Sequence, residues 1–116
     1  MAVSAVDVYA ATSNFTALHM VTSCHALRLV WPFVGDRQLA LFYFWTAFKA
    51  AYATFRCPRV PELKDAANLS EWPSITEKAI KSPDDHMIKL VYTCQREEMA
   101  YKSRLHRMIA AKRVGL

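Results

Sequence analysis

Four side chains in this sequence have the chemistry to hold a metal or act on a carbonyl: His19, His25, His86 and Lys89. The first two lie in TALHMVTSCHALRLVWP. Imidazole is neutral near pH 7 and suits iron, zinc or copper. At about 100° per residue, Thr22 marks the middle of a helix face, with His19 and His25 about 60° to either side. Both rings can then look into one interior. Their Cα atoms would stand about 9 Å apart along the axis, wider than the one-turn HxxxH pair of zinc helices. The plain alternative is one buried histidine bonded to a carbonyl and one half-exposed.

The second pair lies in PDDHMIKLVYTC, where His86 and Lys89 are three residues apart and so neighbours on a helix face. From Met87 to Cys94, Lys89 is the only charged residue. Such a lysine either snorkels to water or is buried and loses its charge. A neutral amine is a nucleophile, and it can take up carbon dioxide to become a carbamate, an anionic oxygen ligand for a metal. His106 sits among Lys102, Arg104 and Arg107 and reads as part of a solvated face.

The elements that position these residues follow from composition. The chain has 116 residues, 53% of them hydrophobic, with a net charge of +5 and only two glycines. That excludes a disordered or low-complexity chain and makes hairpin-dense folds improbable, since turns with φ > 0 must be scarce. The length fits one domain, residues 1–116, or part of a larger one. Five prolines and two glycines leave 1–31, 36–57 and 84–114 uninterrupted. Thr12-Ser13-Asn14 offers a helix start and Asp36 another, and Pro32 ends the first helix. Pro83-Asp84-Asp85 starts a helix expected to run to about Val114. Residues 57–73 are an expected connector and Ser74 to Ser82 a short helix. The fold class is therefore all-α: a bundle-like domain with three long helices and a short one.

Leu39 to Phe55 is nearly apolar, but Lys49 lies within it and Arg37 and Arg56 bound it. An enclosed core helix is preferred to a membrane span. Three unpaired-looking cysteines (Cys24, Cys57, Cys94) and no basic, apolar leader favour a reducing, cytoplasmic setting. Between Arg96 and Arg113 there are six basic residues and two acids. Tyr101, Leu105 and Met108 recur there at helical spacing, so a solvated exterior is preferred to a nucleic-acid footprint.

Together, HMVTSCHALRLVWP, then the apolar FYFWTAFKAAYA, then HMIKLVYTCQRE resemble the C-terminal portion of the questin oxidase-like family, over about residues 15–98. These are oxidoreductases that cleave aromatic polyketide rings by Baeyer–Villiger-type chemistry. The resemblance implies a non-haem iron centre with His19, His25 and His86 as histidine ligands and Lys89, as its carbamate, a further one. His86 and Lys89 would be the catalytic pair. It also implies that the chain is part of a larger helical enzyme fold, with a further histidine upstream, a missing N-terminal half or a homodimer, and dependence on NADPH, although no GxGxxG motif is present. Cys24 stands where a smaller residue is expected. The aromatic wall Phe42, Tyr43, Phe44, Trp45 and Phe48 could stack on a flat polyketide, or simply fill a core. No nucleic acid and no membrane is expected as partner. The alternative is a truncated, non-catalytic helical interaction or dimerisation protein.

Overall fold

The structure, a computed structural model, describes residues 1–56, 59 and 68–116. Positions 57, 58 and 60–67 of the expected connector, Cys57 among them, lie outside the described residues. The all-α expectation holds: the described residues form six α-helices and one 3-10 turn, with no strand. They divide into two units, Met1–Pro61 and Glu62–Leu116.

The first unit holds α1 (Ala2–Thr12), α2 (Phe15–Val30), the turn Trp31–Phe33 and α3 (Arg37–Thr54). Asn14 caps α2, its side-chain oxygen accepting from the Thr16 N–H at 2.8 Å. Asp36 caps α3 in the same way, accepting from the Leu39 N–H at 2.9 Å. Caps of this kind contribute about 1 kcal/mol each. α1 was not expected as a separate helix. It ends at Ser13, whose φ of 48° is left-handed, and it buries Ala5, Val6, Val8 and Tyr9. α2, packed on α1, buries Ala17, Leu18, Met20, Val21, Cys24 and His25. α3 lies against a different face of α2, and α1 and α3 lean on α2 far more than on each other.

The expectation that the second long helix would be enclosed is corrected. Among α3 residues only Phe48 is buried, and Leu39, Phe42, Tyr43 and Trp45 are exposed. An all-round apolar helix needs partners on every side, and within this unit α2 covers one. No described helix is long and apolar enough to cross a membrane.

The second unit holds α4 (Trp72–Ile80), α5 (Asp85–Tyr101) and α6 (Leu105–Val114), each packed on the other two. Asp84 caps α5, accepting from the His86 N–H at 3.0 Å. The single long helix expected from Asp84 to Val114 is corrected: Lys102, at φ 57°, ends α5 in the left-handed region. No glycine or proline marks that break. Its physical reason is burial, because folding α6 back encloses His106, Ile109, Ala110 and Ala111. The stripe expected to pack, Tyr101, Leu105 and Met108, is not the buried one, and Tyr101 is 48% exposed.

Candidate functional site

In the first unit, α2 presents two separate faces, and the histidines fall on different ones. Thr16, His19, Met20 and Ser23 form one stripe at i, i+3, i+4, i+7 spacing. Facing it is a matching stripe on α3: Phe44, Ala47, Phe48 and Ala51. Between them runs a groove of about 210 Å³. His19 is exposed at this groove, whereas His25 is buried and does not line it. The two rings thus do not share one interior face as expected. The reason is the unexpected α1, which draws the Ala17–Val21–Cys24 face inward and turns His19 away.

His19 is held in a defined state. Its Nδ1 lies 2.8 Å from the Phe15 carbonyl, which can only accept, so Nδ1 donates that hydrogen bond. Phe15 also packs edge-on against the ring, with centroids 4.5 Å apart. A carbonyl-anchored Nδ1–H is the arrangement that orients metal-binding or proton-accepting imidazoles. His25 is placed differently: the Arg28 guanidinium approaches its Nδ1 at 3.5 Å. An adjacent guanidinium opposes a metal cation on that ring.

In the second unit, Asp85 joins the two remaining candidates. Its carboxylate lies 3.1 Å from His86 Nδ1 and accepts from Lys89 Nζ at 2.7 Å. Lys89 is 62% exposed and so stands as a solvated ion pair, the snorkelling alternative of the sequence reading. The Lys89 hydrogen bond to Asp85 holds that carboxyl below the usual aspartate range, burial opposing it and His86 assisting. Burial pushes the Asp84 carboxyl up, but the His86 N–H and the Arg113 guanidinium at 2.9 Å outweigh it and hold Asp84 low. Asp84, Asp85 and His86 bring three ligand atoms within 4.8 Å of one another. Asp84 and Asp85 were expected only to start a helix, and they do.

The basic segment at the C-terminus is engaged within the unit. Arg107 reaches Glu71 at 3.0 Å and Glu98 at 3.3 Å, and Trp72 donates to Glu98 at 3.1 Å. The solvated reading of His106 is corrected: it is 1% exposed, its ring stacked on Tyr101 at 6.3 Å. Burial pushes its pKa below the ordinary histidine value, with the Ser103 carbonyl and Glu97 opposing. Cys94 is also buried and its thiol is pushed far up by burial, with Glu97 and Glu98 adding to the effect. It is therefore no nucleophile. Neither Cys24 nor Cys94 is in a disulfide.

These features define an all-α protein with histidine and carboxylate donors on the faces of its second and fifth helices. The chain belongs to the questin oxidase-like family, whose profile matches residues 1–94. The match covers His19, His25, His86 and Lys89, and membership points to an oxidoreductase type of function. No curated protein and no solved structure matches the chain.

Proposed function

We propose that this chain serves oxidative, Baeyer–Villiger-type ring cleavage of an aromatic polyketide, in the cytoplasm, with non-haem iron as metal and NADPH as electron donor. Such a reaction inserts one atom of O2 beside a ring carbonyl, while two electrons from NADPH reduce the other atom to water. The observation that carries the reading is His19: an imidazole anchored at Nδ1 by a backbone carbonyl on an aromatic-lined groove, in a chain of this family.

The donors fit a metal unevenly. His19 is oriented at the groove by its Nδ1 hydrogen bond, and His86 lies beside two carboxylates. His25 carries Arg28 at its Nδ1, and Lys89 is an ammonium paired with Asp85. Candidate ligands are thus His19 and His25 in the first unit and His86 and Lys89 in the second, with Asp84 and Asp85 as nearby oxygen donors. A bound iron supplies one-electron exchange with O2. The chain's own residues do the rest. Phe44, Phe48 and Met20 offer a flat substrate an apolar wall. His19 Nε2 can accept a phenolic proton at the groove, leaving a phenolate that is easier to oxidise. Lys89 becomes a carbamate only after its amine leaves Asp85.

Oxygen uptake with a hydroxyanthraquinone and NADPH tests the proposal. The expected result is substrate-dependent uptake and a ring-opened product heavier by the inserted oxygen and by the water that opens the intermediate lactone, reduced at least about tenfold in His19→Ala. Uptake that ignores substrate, or is unchanged in His19→Ala, overturns it.

A second reading, a non-catalytic helical interaction or dimerisation protein, is favoured by one observation. Leu39, Phe42 and Tyr43 form a contiguous apolar patch at helical spacing on α3, and they are 47%, 63% and 63% exposed.

A further inference from the structure

Because α1 and α3 both rest on α2 and scarcely on each other, a second groove lies between them. Its walls are two helix stripes. Ser4, Asp7 and Val8 come from α1 at i, i+3, i+4. Trp45, Phe48, Lys49 and Tyr52 come from α3 at i, i+3, i+4, i+7. The groove measures about 410 Å³, within the roughly 300–1,000 Å³ of small-molecule sites. It is distinct from the His19 groove, although Phe48 lines both.

We infer that this groove binds a planar hydroxy-aromatic anion, its rings on the Trp45–Phe48 wall and its negative charge at Lys49. The wall is built for flat ligands: the Trp45 and Phe48 rings lie 5.3 Å apart and only 21° from parallel. Phe48 is buried and fixed, while Trp45 is 43% exposed and so leaves apolar surface for a ligand to cover. Lys49 is the groove's cation, and no ion pair involves it among the described residues. Asp7, across the groove, is already engaged within the protein. Its carboxylate selects for a ligand that brings a hydroxyl donor along with its charge, and against a bare polyanion. A phenolate, sulfonate or carboxylate on a hydroxylated ring system meets both demands. The choice of ligand class rests on the aromatic-substrate reading above, but the binding itself needs no metal, oxygen or NADPH.

Calorimetric titration of the full chain with hydroxynaphthalene sulfonate, and with uncharged naphthol, tests the inference. The sulfonate is expected to bind more tightly than naphthol. Lys49→Met should weaken the sulfonate about tenfold and leave naphthol unchanged, and Lys49→Arg should restore it. Trp45→Ala should weaken both about fivefold, with Trp45→Phe retaining most of the affinity should the alanine variant misfold. Equal affinities for the two probes, or sulfonate binding indifferent to Lys49→Met, overturn the inference. Intact charge-dependent binding in a chain without oxygen uptake contradicts only the oxidase reading. Uptake in a parent chain that binds neither probe contradicts only the groove.

Discussion

At the scale of the residue, His106 shows how a side chain's surroundings set its chemistry. It is enclosed beside Tyr101 and held with its pKa below the ordinary value of 6.5. The unfolded chain therefore binds more protons than the folded one once pH drops below that value. Stability should be full above about pH 6.5 and fall as pH drops toward the lowered folded pKa. Thermal melts from pH 8 to pH 5 should show that decline, and His106→Gln, which cannot take up the proton, should flatten it. A parallel decline in His106→Gln would mean that other groups cause it.

Lys89 presents the opposite situation, an exposed ammonium fixed by Asp85. Carbamate formation needs the neutral amine. A ¹³C carbamate resonance under labelled bicarbonate should therefore be stronger in Asp85→Asn than in the parent chain, and absent in Lys89→Met. Equal signals in Asp85→Asn and Lys89→Met would remove Lys89 from the candidate ligands.

At the scale of the element, caps and breaks decide where helices lie. Asn14, Asp36 and Asp84 were legible as helix starts because short polar side chains before apolar runs have one plain use. Asn14→Ala should cost about 1 kcal/mol in denaturant unfolding. An unchanged midpoint would contradict the capping role. The break at Lys102 was not legible, since lysine carries no turn signal, and only the 106, 109, 110 pattern hints that α6 turns inward. Its left-handed φ of 57° suits glycine better than any residue with a Cβ. Lys102→Gly should therefore raise stability by about 0.5–1 kcal/mol, whereas Lys102→Val should lower it. Loss of stability in the glycine variant would show that the left-handed turn is not what ends α5. α1 escaped the sequence reading for a related reason: it begins without a side-chain cap and has no charged first turn. Missing α1 meant choosing the wrong inner face for α2, and with it the wrong partnership of His19 and His25.

At the scale of the whole molecule, the all-α class followed from two glycines and long uninterrupted stretches. The segregation of chemistry did not. His19, anchored by Phe15, and the Trp45–Lys49 groove depend on which helices meet, and no spacing rule within one helix contains that information. The same holds for the outer face of α3, where an apolar pattern was read as burial. Leu39, Phe42 and Tyr43 offer an exposed patch of a few hundred Å², near the upper limit for an isolated monomer. If this face serves self-association, light scattering should show mass rising with concentration, and Phe42→Glu with Tyr43→Glu should abolish the rise. A strictly monomeric parent chain at high concentration would dispose of the dimerisation reading.

The metal content of the full chain, purified without a polyhistidine tag, tests the enzymatic account most directly. The account predicts iron bound to the parent, sharply reduced in His19→Ala and unchanged in the surface control Lys81→Ala. Equal, negligible iron and zinc in all three proteins would contradict it.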